Sequence, residues 1–342
     1  MGMTATAQNP MKKLYQRLRA VGFDTPYVQN MALPSWWEDS AALSPSGYQE
    51  GLLILSRHLG LSLQSLQDES APLELRDFGP CNFKKSKGVT EDELAIARAI
   101  CTRAAQIAAA SAQTRWQGEM PVNGSEIREA ILSTGAKWVD LKSLLDWCWR
   151  NGIPVLHIAS FPRSSRKMDG MAALVDGRPV IVLCKNAKQE AWLLFILAHE
   201  LSHILRGHVS QNGVLVDEHI AKDSTDEQES EANATAVEIL TGDSDCRFSS
   251  PGRWPNAAKL AAAAKDHGRI HQVDPGHIVL NYSNFKGDAF HALGNAALRL
   301  IYPHSDAAKL IHENMAANLD WSGIPEDSSE FLMRVSSPKP RK

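Results

Sequence analysis

The 342-residue chain is 44% hydrophobic and 22% charged, enough apolar content to fill buried cores in two or three domains and to exclude a disordered chain. Its formal net charge of −3 gives no bulk attraction to nucleic acid or anionic membrane, so any such binding must come from a local patch. Five cysteines, Cys81, Cys101, Cys148, Cys184 and Cys246, are widely spaced without a Cys-x-x-Cys pair, no charged-then-apolar leader opens the chain, and no apolar run nears the roughly 20 residues of a membrane helix; a reducing, cytoplasmic setting with no membrane partner is expected.

Residues 1–10 are small, polar and unpatterned, and a disordered tip is expected there. A helical module is expected over 11–80. It opens with Lys12, Lys13, Arg17 and Arg19 above Leu14 and Leu18, and continues from Ser44-Pro45 through Leu52, Leu55 and Leu59 to a stop at Gly60, with Leu61 to Leu66 following. This rhythm of short helix, glycine turn and short helix resembles the later helices of small repressor-type helix-turn-helix domains. It raises DNA contact through this module against the plainer alternative of a packing or partner-binding unit. Residues 81–125 read as a linker and helix. Lys84, Lys85 and Lys87 close a turn-rich stretch, and Thr90 with Glu93 forms a capping box opening an alanine-rich helix to 115, which Gly118 to Gly124 breaks.

From residue 126 the pattern turns mixed. Helical periodicity at 125–133 and 140–150, the latter burying Leu144, Leu145 and Trp149, gives way to strands at 154–159, 170–175 and 180–184, the last two joined by a tight Asp176-Gly177 turn. An edge strand of such a sheet can pair with an extended peptide. His157, Arg163 and Arg166 are candidates to stabilise an oxyanion, each with the alternative of being an ordinary polar surface residue.

The apolar run Trp192 to Ala198 leads into His199-Glu200-Leu201-Ser202-His203. At about 3.6 residues per turn the two imidazoles share a helical face and can close on one metal ion. Glu200 sits beside them, where a carboxylate can take a proton from water whose pKa zinc lowers to roughly 7. The alternative is a buried helix whose histidines only pack. The metzincin layout is excluded, because Arg206 and Val209 stand where it needs a glycine and a third histidine. His208 is expected at the exposed end of the helix, against the C-terminal dipole.

Catalytic zinc usually takes three protein ligands. Downstream, Ser224-Thr225-Asp226-Glu227 reads as a capping box, and Ala232, Ala236 and Leu240 as the apolar stripe of the helix it opens. Glu229 continues that stripe, and a core-facing carboxylate needs a partner for its charge. Glu231 falls with Thr235 and Glu238 on a side expected to be solvated. Glu229 is therefore preferred to Glu231 as the third ligand, with Asn233 one turn further on as a supporting amide. In the polar loop 211–223, which carries Asp217, Glu218 and His219, His219 is the weaker alternative.

Together these residues resemble the ImmA/IrrE family of zinc metallopeptidases: His199 to His203 with Leu205, Gly207 and His208, then Glu229-Ser230-Glu231-Ala232-Asn233 and Ile239-Leu240, preceded by Gly152-Ile153-Pro154-Val155 and Arg178 to Leu183. The resemblance covers residues 140–285; Ser202, Thr235 and Thr241-Gly242 depart from it, and none of these is a ligand. It implies an α+β fold, with a zincin-like metallopeptidase domain at 126–285 whose small sheet packs on the motif helix, and it puts the first glutamate, Glu229, on the metal. It also implies an endopeptidase of a bacterial stress, phage or mobile-element response whose protein substrate is a DNA-binding transcriptional repressor.

Further helices are expected at 256–266, stopped at Gly268, from Asp274-Pro275, and at 290–300 and 305–319 within a C-terminal helical region at 286–335; a basic, disordered tail is expected at 336–342. The chemistry expected is peptide-bond hydrolysis with His199, His203 and Glu229 holding Zn²⁺ and Glu200 moving the proton. The rival is a non-catalytic transcription regulator or binding module with a structural zinc site, which would fill all four metal positions with protein ligands.

Overall fold

Polar caps and prolines start the helices. The Asn9 side chain accepts from the Met11 N–H to open α1 (Pro10–Ala20), and Asp24 does the same for the single turn α2 (Thr25–Tyr27). Ser44 caps α3 (Pro45–Leu59), which ends at Gly60 with φ 67°, a conformation that glycine adopts at little cost; α4 (Leu63–Gln67) follows. Next come β1 (Cys81–Phe83), α5 (Glu91–Ser111), α6 (Gly124–Leu132) and α7 (Leu141–Arg150), the last opened by a reciprocal box between Asp140 and Ser143. β2 (Val155–His157), β3 (Gly170–Val175) and β4 (Arg178–Leu183) precede α8 (Glu190–Leu205), and β5 (Val214–Asp217) and α9 (Glu227–Thr241) follow it. Then come α10 (Ala257–His271), α11 (Pro275–Lys286), α12 (His291–Ile301), α13 (Ala307–Asn318) and α14 (Glu326–Ser336). This computed structural model describes residues 9–76, 81–83, 91–165, 168–209, 214–217, 227–250, 252, 256–287 and 290–337.

The fold is α+β, as the pattern implied. Its sheet has the order β1-β5-β3-β4-β2. β3 is antiparallel to both β4 and β5, whereas β1 runs parallel to β5 and β2 parallel to β4. Asp176 and Gly177, at φ 50° and 80°, make the tight turn between β3 and β4. β4 alternates by face: Val180 and Val182 join one core, and Ile181 and Leu183 the other. On the first face α5 lies against β3 and β4, with α3 and α14 packed over α5. On the second face α7 and α8 cover the sheet, and α9 packs along α8. A third apolar cluster gathers α10, α11 and α12 against Ala191 of α8.

Several expectations change. α10 does not stop at Gly268 but runs on to His271, because Gln272 takes the left-handed conformation at φ 55°. Gly268 serves close approach instead, since a Cβ there would stand 2.4 Å from the Val273 carbonyl oxygen. Ser336 does not belong to the disordered tail expected at 336–342, since it is fully buried as the last residue of α14, its hydroxyl donating to the Leu332 carbonyl at 2.6 Å. Likewise Pro10 belongs to α1 rather than to a disordered tip. The α1 cations are partly spent on packing: Arg17 donates to the carbonyls of Ser65, Leu66, Asp68 and Ala71, and Lys13 pairs with Glu69. Residues 1–8 of the tip, Lys84, Lys85, Lys87, Thr90, Arg166, the Ser224 to Asp226 part of the capping box, Glu218, His219 and residues 338–342 lie outside the described residues.

Arg128 ties α6 to two helix ends, donating to the carbonyls of Leu240 at 2.8 Å and Gln272 at 2.7 Å, where the C-terminal dipoles favour a cation. Arg128→Met should therefore cost about 2–4 kcal/mol in denaturant unfolding, because both carbonyls lose a charged donor.

His58 joins α3 to the segment after α2 through a 2.6 Å contact from Nδ1 to the Ala32 carbonyl, and its ring stacks on Phe331 of α14. Burial lowers its pKa to about 4. The folded value lies below the unfolded one, so the stabilisation is complete above pH ~6.5 and is lost as pH falls from there towards 4. Unfolding titrations should lose on the order of 2–3 kcal/mol over that interval, and His58→Gln should flatten the dependence.

Candidate metal centre

α8 is buried from Leu193 to Leu201 except at Phe195, because its apolar run packs between the sheet and α7, α9 and α11. The helix carries its polar residues into that interior. His199, Glu200 and His203 are each 0% exposed, and Glu229 on α9 is only 3% exposed. The imidazole Nε2 atoms of His199 and His203 stand 3.0 Å apart. The Glu229 carboxylate closes the triangle, with Oε2 3.6 Å from His199 Nε2 and Oε1 3.4 Å from His203 Nε2. Metal–ligand bonds of about 2.0–2.2 Å at tetrahedral angles would put donor atoms roughly 3.3–3.5 Å apart, so the observed separations bracket what one ion requires. His199, His203 and Glu229 can thus hold a metal ion, and they are the group of that kind among the described residues.

The Glu229 carboxylate is the acidic group that α9 turns inward, as its place on the apolar stripe suggested. The expectation that the other side is solvated fails. Thr235 is buried and accepts from Arg206 Nε at 2.9 Å, and Glu238 accepts from Ser125 Oγ at 2.8 Å at the start of α6. Glu231 does reach solvent, but its Oε2 lies 3.1 Å from His208 Nε2.

His208 is likewise not an exposed helix end. It is 8% exposed, and its Nδ1 sits 2.9 Å from Nδ1 of His203. The cause is the ending of α8. Gly207 adopts φ 70° and donates to the Ile204 carbonyl, and the His208 N–H donates back to the His203 carbonyl, the paired bonds of a Schellman turn. The chain therefore folds His208 over the ligand it follows by five residues. A carboxylate only accepts, so a neutral His208 presents Nε2–H to Glu231 and receives the His203 Nδ1–H at its own Nδ1. That chain of donors leaves the His203 Nε2 lone pair aimed at Glu229 and His199, the tautomer a metal ligand needs.

No family model, curated protein or solved structure matches the chain.

Glu200 occupies the next position on α8, against the start of β3. A Cβ on Gly170 would fall 2.1 Å from Glu200 Oε1, so the absence of a side chain at 170 is what lets the carboxylate lie there. Two of the oxyanion candidates, His157 and Arg163, sit elsewhere. The His157 ring is buried on β2 with Nε2 3.1 Å from the Lys185 carbonyl, and the Arg163 backbone N–H donates to Asp24 beside α2. Among the described residues no helix is long and apolar enough to cross a membrane.

Zinc titration against a competing chelator should give one ion per chain, and Glu229→Ala should abolish that binding. His208→Ala keeps all three donors but frees the His203 ring, and it should weaken affinity roughly 10- to 100-fold with the fold intact by circular dichroism.

Proposed function

We propose that the chain is a zinc-dependent endopeptidase with a zincin-like catalytic region. The observation that carries this reading is the convergence of two imidazoles and one carboxylate on a common point, with the buried carboxylate of Glu200 on the helical position between the two histidines. Two nitrogen donors and one oxygen donor match the mixed set that catalytic zinc uses, whereas structural zinc is usually closed by four protein ligands. A bound ion would supply Lewis acidity, making water acidic near neutral pH and polarising a peptide carbonyl.

The chain's own part is to orient and to move a proton. His208 and Glu231 fix the His203 ring, and Gly170 leaves room for the Glu200 carboxylate at the start of β3. Glu200 takes the proton of the attacking water and delivers it to the departing amine. The order of sheet, histidine-bearing helix and carboxylate-bearing helix agrees with the ImmA/IrrE resemblance, from which the substrate class follows: a DNA-binding repressor cut in a stress, phage or mobile-element response. The amino-terminal helical module would then serve substrate or DNA contact.

Glu200→Gln should retain one zinc per chain and lose peptide hydrolysis by at least about 100-fold. The readout is mass mapping of new termini after incubation with repressors encoded beside this gene. Hydrolysis that persists in Glu200→Gln would reject the assigned proton carrier, and a metal-loaded wild-type protein that cuts none of them would favour a regulator with a structural site.

A further inference from the structure

Beside the metal centre lies a cavity of about 190 Å³. Its walls come from the same two helices that carry the ligands. On α8, Phe195 and Ile196 stand one turn before His199 and Glu200; on α9, Asn233 and Val237 stand one and two turns beyond Glu229. The Phe195 ring is 6.4 Å from the His199 ring, so the cavity begins where the ligand set ends. Trp192, Leu280 and Phe285 complete its apolar part, and Asp169, Lys185, Asn281, Asn284 and His291 line it as well.

One side chain in this wall is both buried and unpaired. His277, on α11, is 1% exposed, and among the described residues neither of its ring nitrogens has a hydrogen-bond partner. Its ring stacks on Phe195, with centroids 6.1 Å apart and planes 16° from parallel, and meets Phe248 edge-on. Burial lowers its pKa to about 4, so at neutral pH it is an uncharged imidazole with one donor and one acceptor. Leaving both unmet in the interior is costly, and the natural complement is a group that donates and accepts at once, on a body that fits among aromatic rings. A cavity of roughly 150 Å³ lined by apolar side chains holds a benzene molecule, so there is room here for one ring and a hydroxyl.

We propose that this cavity is a side-chain subsite for tyrosine in an extended polypeptide passing the metal centre, with the phenol hydroxyl paired to the His277 imidazole. The assignment of the occupant to a substrate rests on the hydrolase reading, whereas the phenol preference rests on His277 alone. Phenylalanine would fill the same space and leave the imidazole unmet. The discrimination is therefore of the kind that hydrogen-bonding sites exert against analogues lacking the polar group.

The test uses the full-length, zinc-loaded Glu200→Gln protein, in which turnover does not intrude, with p-cresol and toluene as the two side-chain probes. p-Cresol should bind roughly ten- to a hundredfold tighter than toluene. It should also move the His277 ring nitrogen resonances, which toluene leaves in place. His277→Leu should bring the two affinities together. Equal affinities in the parent protein, or a p-cresol preference that survives in His277→Leu, would overturn the site; should that variant not fold, the parent's imidazole shifts decide alone. A peptide mixture given to the wild-type protein separates the two readings. Cleavage without enrichment of tyrosine near the cut bond refutes the subsite and spares the hydrolase, whereas p-cresol held by His277 in a protein that cuts no peptide upholds the pocket and refutes the hydrolase.

Discussion

A carboxylate sunk between two imidazoles sets the relation of α8 to α9. Glu229 has almost no access to water, and a buried charge is tolerated only where opposite charge or donors surround it. Helices 22 residues apart in sequence are therefore held at one register, the register that brings a side chain from α9 over the face of α8 that carries both rings. Neighbouring packing agrees with it. Ala232 and Ala236 give α9 a small-residue face, and Arg206 at the end of α8 reaches Thr235 of α9. The far end of α9 is fixed independently, by Arg128 on the Leu240 carbonyl and by Glu238 at the start of α6.

The support behind the ligands is as local as the ligands themselves. A single left-handed residue, Gly207, reverses the chain and sets one imidazole on another, and Glu231 completes the line from solvent to the interior. Glu229 and Glu231, two positions apart on one helix, thus divide the work: one faces the site and the other steadies it from outside. A sequence comparison of the two as rival ligands misses that both contribute, because helical periodicity reports which face a residue takes and not what lies across from it.

How much could be read beforehand follows the same line. The paired histidines, Glu200, the inward Glu229, the Asp176-Gly177 turn and the Gly60 stop were all legible, since each depends on residues within about two turns of one another. His208 was legible in principle, because a glycine just past a helix end returns the next residue towards the last turn. Gly268 was not, since its role is set by the distant carbonyl of Val273, and a glycine within a helix looks the same in sequence as one that ends it. The burial of Thr235, Glu238 and Ser336 likewise depends on partners supplied by tertiary packing. α14 was not read as a separate helix because a stretch of 11 residues carries little helical signal without the core that it covers.

That core lies on the sheet face turned away from His199, His203 and Glu229. Met171, Ala173, Val180 and Val182 are sealed there by α5, which is itself roofed by α3 and α14. Helices far apart in the sequence, α3 and α14, thereby shelter the very strands whose opposite side faces the candidate metal centre. Amino-terminal helices of this kind are not an appendage that recombination can exchange freely; any replacement would have to bring its own match to those four side chains, or leave them wet.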